Sequence, residues 1–208
     1  MAETETLTLA EIERLSQAAL EAAGTLPGNA GPLARATAET EAMGVASHGL
    51  AYIPIYCEHV QCGKVDGRAT PTVARPRPGV IRADAATGFA HPAIDAGMAP
   101  LEEAARTQGI AALSVFNSYN CGVLGVHTAR LAAAGLLALG FTNAPASIAP
   151  SGGRAPVVGT NPLSLAVPDG AGGAEILIDQ SASVIAKSEI MKHAREGRPI
   201  PEGWALDA

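Results

Sequence analysis

Ser47-His48-Gly49 sets a hydroxyl, an imidazole and a glycine side by side, just ahead of Ala51-Tyr52-Ile53-Pro54-Ile55-Tyr56. Histidine is the side chain whose ordinary pKa lies near neutrality, so a His on a short bend beside a cleft can give or take a proton at working pH. The other reading of the triplet is a buried His satisfied by a backbone carbonyl, since a lone histidine carries no reaction class with it. Two later stretches hold chemistry of another kind. The Gly159-Thr160-Asn161-Pro162 turn and the run Asp179-Gln180-Ser181-Ala182-Ser183 can meet a dinucleotide phosphate through backbone N–H groups without a basic side chain. The same residues would equally close a turn and cap a helix. No G-x-G-x-x-G follows a strand and there is no Walker loop, which disfavours a Rossmann dehydrogenase.

The elements that must position these residues read as follows. Thr8 caps a helix from Leu9 to Ala23, with Glu11 three residues on to close a capping box and Gly24 as the stop. A second helix begins after Asn29 or Gly31 and runs to Met43, ended by Gly44. Pro54 cannot lie deep in a helix begun at Ser47, because its ring would strike the carbonyl of Leu50. A third helix therefore starts near Pro54 and ends at Gly63, leaving His48 on the connecting bend or on one short turn.

From Lys64 to Pro78 three prolines mark an extended connection, and the main domain boundary is placed there: 1–78 as a helical N-terminal domain with the Ser-His-Gly site, 79–208 as an α/β cofactor-binding domain. Val80–Asp84 reads as a strand, His91-Pro92 leads a helix to Gln108 stopped by Gly109, and Ile110–Phe116 reads as a buried strand. Asn117–Gly122 is a loop at its carboxyl end. A helix from Leu124 to Ala134 and an apolar strand from Leu136 to Thr142 follow, and strand, helix, strand argues for an α/β layer with ligand loops at strand ends. Leu163–Val167, the Asp169-Gly170 turn and Glu175–Ile178 make a hairpin. Ser183 caps a last helix from Val184 towards Arg195, which would join the Asp179–Ser183 run to a helix N-terminus.

Composition narrows the class of function. A chain of 208 residues, 48% hydrophobic and 16% charged, can bury a real core. A net charge of -6 and the lack of any basic run argue against nucleic-acid or anionic-membrane partners. The acidic start Met1-Ala2-Glu3-Thr4-Glu5 and the lack of a span-length apolar run point to a cytoplasmic protein. Cys57, Cys62 and Cys121 form an odd set without metal spacing and read as reduced thiols with no metal.

Four blocks in order, Ser47-His48-Gly49, Gly159-Thr160-Asn161-Pro162-Leu163, Asp179-Gln180-Ser181-Ala182-Ser183 and Ile200-Pro201-Glu202-Gly203-Trp204, give a chain that resembles the malate/L-lactate dehydrogenase family of the non-Rossmann type. The resemblance runs from about Glu11 to Asp207. It implies a fold with a helical N-terminal part followed by a mixed α/β sheet layer, and a homodimer. It also implies NAD or NADP as cofactor and a small 2-hydroxy or 2-oxo carboxylate as substrate, of the malate, lactate or sulfolactate type.

On this resemblance His48 exchanges the proton while a nicotinamide carries the hydride, a division of labour that needs no metal. Ser47 lines the site beside it. Thr160, Asn161 and the segment Ile178, Asp179, Gln180, Ser181, Ala182, Ser183 and Val184 hold the cofactor. Two departures bear on the substrate. Where relatives carry an arginine suited to a carboxylate, this chain has Tyr52, and where they carry a second histidine it has Asn120. Both are assigned, with Ser47, to substrate binding, and Arg154, Lys187 and His127 are substitutes for an anion clamp. Relatives also continue past the Gly-Trp-Ala-Leu-Asp segment, so a truncated, catalytically silent binding or oligomerisation module is the alternative expectation.

Overall fold

The computed structural model describes residues 5–185 and 187–205. Thr8 caps α1 (Leu9–Ala22) and forms a complete capping box with Glu11, as the S/T-x-x-E spacing dictates. α2 runs from Pro27 to Ala42, starting earlier than the expected point after Asn29 or Gly31. Pro27 at the first turn supplies a preset φ, and Asn29 is no breaker because its amide is spent on tertiary contacts, donating to Gly67 O and Ala69 O at 2.9 and 2.8 Å. α3 (Ile53–Gln61) takes Pro54 in its first turn, where a missing N–H costs nothing.

Contacts divide the chain into two compact units, Met1–Val126 and His127–Ala208. In the first, α1 packs against α2 and α3, and Leu20, Ala30, Leu33, Ile53, Tyr56, Val65 and Phe89 form its core. The sheet of this unit has the order β1 (Thr72–Arg77), β2 (Val80–Asp84), β3 (Ala112–Phe116). The first pair is antiparallel and the second parallel, joined by α4 (Ala90–Gln108), which packs on β2 and β3. The division falls after Val126 because β1, inside the supposed connection 64–78, binds β2, and α4 packs on α2 as well as on the sheet. β1 escaped the sequence reading because of its proline. At the edge of a sheet Pro76 is tolerated, since no ladder bond is lost there.

β3 is not the buried strand expected. Leu113 and Val115 pack towards the α4 side, with Ala83, Ala85 and Ala93, while Ala112 and Ser114 are exposed. With α4 alone packed on the sheet among the described residues, only alternate side chains are covered.

The second unit begins inside α5 (Leu124–Ala133). Its sheet, β4 (Ala138–Phe141), β5 (Leu163–Pro168), β6 (Ala174–Gln180), is antiparallel throughout. The β3-α5-β4 run is therefore not a crossover unit, since β3 and β4 belong to different sheets; the crossover is β2-α4-β3. The β5-β6 hairpin is as expected, and Asp169 closes it by accepting N–H bonds from Ala171 and Gly173 at 2.6 and 2.9 Å. α6 spans Lys187–Arg195. Among the described residues no helix is long and apolar enough to cross a membrane.

Candidate active site

His48 ends a single 3-10 turn, Ala46–His48, and a second, Leu50–Tyr52, leads straight into α3. The imidazole sits at the surface of its unit, half-buried, as a proton-exchanging group must. Ser47 Oγ lies 3.0 Å from His48 Nδ1, which leaves Nε2 as the ring atom aimed away from the serine. The ring of Tyr52, one helical repeat along, lies parallel to it, with centroids 5.9 Å apart and planes 2° apart.

The bend is held from outside. Glu41 near the end of α2 accepts the Leu50 N–H at 2.6 Å, and a Cβ on Gly49 would fall 2.2 Å from the same carboxylate oxygen. Glycine is required there for close approach, and the anionic acceptor fixes the bend by a charge-assisted bond.

Tyr52 belongs to an aromatic cluster. It meets Tyr56 edge to face at 4.8 Å, and Tyr56 meets Phe89 and Tyr119 at 5.7 and 6.1 Å. Tyr119 sits on the loop after β3, and its hydroxyl is hydrogen-bonded to His59 Nδ1. On the other side of that ring, Lys64 Nζ approaches His59 Nε2 at 3.4 Å. Burial pushes the Tyr119 phenol up to about 12, with the charges of Tyr52 and Cys62 acting in the same direction. Burial also raises Tyr56, more strongly.

Asn120 is in the same loop, but its Oδ1 is taken by the Gly122 N–H at 2.5 Å, an Asx turn that shapes the loop. Among the substitute clamps, Arg154 is exposed on its loop and His127 is buried; the side chain of Lys187 lies outside the described residues.

In the second unit the two stretches expected to hold a cofactor are brought together. Thr160 O accepts the Ala182 N–H at 2.7 Å and the Ser181 hydroxyl at 3.2 Å. Asn161 has φ +34 and its Oδ1 accepts the Ala144 N–H at 2.9 Å, while Gly159 passes so close to Ala144 that a Cβ would fall 2.0 Å from its carbonyl oxygen. Asp179 and Gln180 complete β6, opposite Ser164 and Leu163. Ile178 and Val184 are exposed.

One expectation fails here. Ser183 does not cap the last helix, which starts at Lys187. Instead Ser181 Oγ accepts the Ser183 N–H at 3.0 Å and bonds the Ser183 hydroxyl at 2.6 Å. The local side-chain turn wins over the helix, so the Asp179–Ser183 run ends in a hydroxyl-lined bend rather than at a helix dipole.

Sequence reasoning missed Glu41, His59 and Tyr119. Tyr52, Tyr56 and His59 follow the i, i+4, i+7 spacing of one helical stripe, a signal that could have found His59. Glu41 and Tyr119 meet the bend and the stripe only through the tertiary fold.

Comparison with known proteins accounts for the four ordered blocks. Residues 7–208 match the family model described as malate/L-lactate dehydrogenase. The chain is 43% identical over 203 residues to a (2R)-3-sulfolactate dehydrogenase (NADP(+)) of Chromohalobacter salexigens, covering 97% of this chain and 60% of that one. It is 36% identical over 208 residues to a delta(1)-pyrroline-2-carboxylate reductase of Pseudomonas fluorescens, covering all of this chain and 62% of the relative. The solved delta1-piperideine-2-carboxylate reductase of Pseudomonas syringae pv. tomato superposes with a TM-score of 0.90 at 35% identity, over 95% of this chain and 59% of that one. The chain thus spans about 60% of the length of these relatives. With the family model matched from residue 7 onward and the fold shared with a solved member, this chain belongs to the malate/L-lactate dehydrogenase family.

Proposed function

We propose that the chain carries the proton-exchanging part of an NAD- or NADP-dependent oxidoreductase acting on a small 2-hydroxy or 2-oxo carboxylate, or its imino counterpart, with His48 as the general acid and base. The observation that carries the reading is Ser47 Oγ against Nδ1 of a half-buried His48. This contact holds Nδ1 and so fixes the orientation of the ring, which proton transfer to a reduced carbonyl oxygen or imine nitrogen needs. The relatives support it by name, one being a (2R)-3-sulfolactate dehydrogenase (NADP(+)) and another a delta(1)-pyrroline-2-carboxylate reductase.

The donor set of the Thr160 and Ile178–Val184 segments fits a dinucleotide. Exposed Ile178 and Val184 offer apolar faces, the exposed Gln180 ends β6, and the hydroxyls of exposed Ser181 and half-buried Ser183 lie on the bend that follows. When bound, the nicotinamide supplies or takes the hydride. His48 gives up its proton to the substrate heteroatom in reduction and takes it back in oxidation, Ser47 holds the ring, and Tyr52 binds the acid beside it.

The test is loss of nicotinamide absorbance when the chain meets NADH or NADPH with pyruvate, oxaloacetate, sulfopyruvate or a cyclic imino acid. His48→Ala should lower turnover by roughly a hundredfold or more. Turnover undiminished in His48→Ala would remove His48 from the mechanism, and cofactor binding without turnover is what a silent binding module would give.

A further inference from the structure

Alternation along β2 buries Ile81 and Ala83 and turns Arg82 and Asp84 to the sheet face away from α4. On that face the ladder sets Thr72 and Phe116 on either side of Asp84, and Ala74 beside Arg82. Ala74 offers only a methyl among longer side chains. The space it leaves is part of an open pocket of about 160 Å³, lined by Thr72, Ala74, Pro76, Arg82, Asp84 and Phe116.

Two opposite charges share this pocket without neutralising one another. The Arg82 guanidinium lies over the Phe116 ring, 4.6 Å from its centroid, which uses its flat face and sets its direction. It makes no hydrogen bond or ion pair with any of the described residues, so its N–H donors are unspent. The Asp84 carboxylate is oriented from its own side. Its Oδ1 accepts the Ala86 N–H at 2.8 Å, and the Asn117 amide donates to Oδ1 and Oδ2 at 3.1 and 3.3 Å. A carboxylate has about four acceptor positions, so Oδ2 keeps room for a further donor.

Charge decides the class of ligand. A simple anion drawn to Arg82 would also meet Asp84 two residues along, on a chain of net charge -6. A simple cation drawn to Asp84 would meet Arg82. A molecule that carries both charges answers both walls. Ala74, Pro76 and Phe116 supply an apolar wall beside them, and a cavity of about 150 Å³ is enough to hold benzene, so a compact ring or short aliphatic group fits.

We propose that this sheet face binds a small zwitterionic amino acid, its carboxylate on the Arg82 guanidinium and its ammonium on Asp84 Oδ2. The side chain of the ligand rests on Ala74, Pro76 and Phe116. The inference stands apart from the reading of His48 and needs no cofactor.

Titration of the 208-residue chain with L-proline, followed through backbone amide resonances, tests it. The amides of Arg82, Ala83 and Asn117 should shift saturably, with roughly millimolar affinity. Two compounds of the same ring size separate the charges, since cyclopentanecarboxylate lacks the ammonium and pyrrolidinium lacks the carboxylate. Each should bind at least roughly tenfold more weakly, the effect of losing a hydrogen bond to a charged group.

Ala74→Leu keeps both charges and fills the pocket from an exposed position on the edge strand, so binding should be lost in a chain that still folds. Arg82→Gln should weaken L-proline by roughly tenfold or more on the same ground. L-proline held at the His48 site instead would bind Ala74→Leu as well as it binds the wild type. That result, the lack of saturable shifts at the three amides, or equal binding of cyclopentanecarboxylate each overturns the assignment.

Discussion

Glu41 accepts the backbone N–H of Leu50 at 2.6 Å, across nine residues of sequence, and so closes the end of α2 onto the bend that carries His48. Gly49 lies buried under the same carboxylate. The Ser-His-Gly turn is therefore shaped by an acid outside the motif, and its glycine answers to that acid rather than to a left-handed turn.

Gly49→Ala should destabilise the chain by about 1–3 kcal/mol, since the new methyl must expel a carboxylate held by a charge-assisted bond. In a Glu41→Ala background the same substitution should cost much less. A double-mutant cycle by thermal or urea unfolding checks this, with a coupling of about 1 kcal/mol or more expected.

Ser47→Ala removes the partner of His48 Nδ1. Loss of one such bond should lower kcat by up to roughly tenfold with little change in KM for pyruvate, because the bond orients the ring without touching the acid. Steady-state kinetics separates the two, and a rise in KM alone would leave Ser47 with substrate binding, the role the resemblance implies.

Tyr119 and Tyr56 should both titrate above the ordinary phenol range, Tyr119 near 12. A folded pKa above the unfolded one means that the unfolded chain loses its protons first. The stabilising contribution is thus whole below about pH 10 and declines as pH rises through about 12 for Tyr119. Unfolding at a series of alkaline pH values should show this fall, and Tyr119→Phe should make it shallower.

Gly159→Ala would set a Cβ 2.0 Å from the Ala144 carbonyl oxygen, backbone that cannot swing aside. The turn carrying Thr160 and Asn161 must move, at a cost of about 1–3 kcal/mol. NADPH binding measured by fluorescence should weaken, whereas Gly170→Ala, in the hairpin turn with nothing near its Cβ, should leave binding unchanged even where its positive φ costs some stability.

Much of the local structure was legible in the residues. The Thr8-Glu11 box, the Pro54 position and the Asp169 turn each follow from rules that act within a few residues, and each is realised. The readings that failed are those in which a local preference met a longer-range partner. Pro76 reads as a loop residue until an edge strand gives it a place, and the Asn29 amide favours a helix boundary until Gly67 and Ala69 take both its protons. Ser183 reads as a cap until Ser181 binds it first.

The sequence by itself determined the family, the turn that carries His48 and the order of the elements, because these depend on residue identity and on spacing along one strip of chain. Only the tertiary structure decided what stands behind the site. Glu41 reaches the bend, and Tyr119 reaches His59 across sixty residues. Such contacts form when the packing of helices and sheet brings distant surfaces within hydrogen-bond range, a condition that no local pattern encodes.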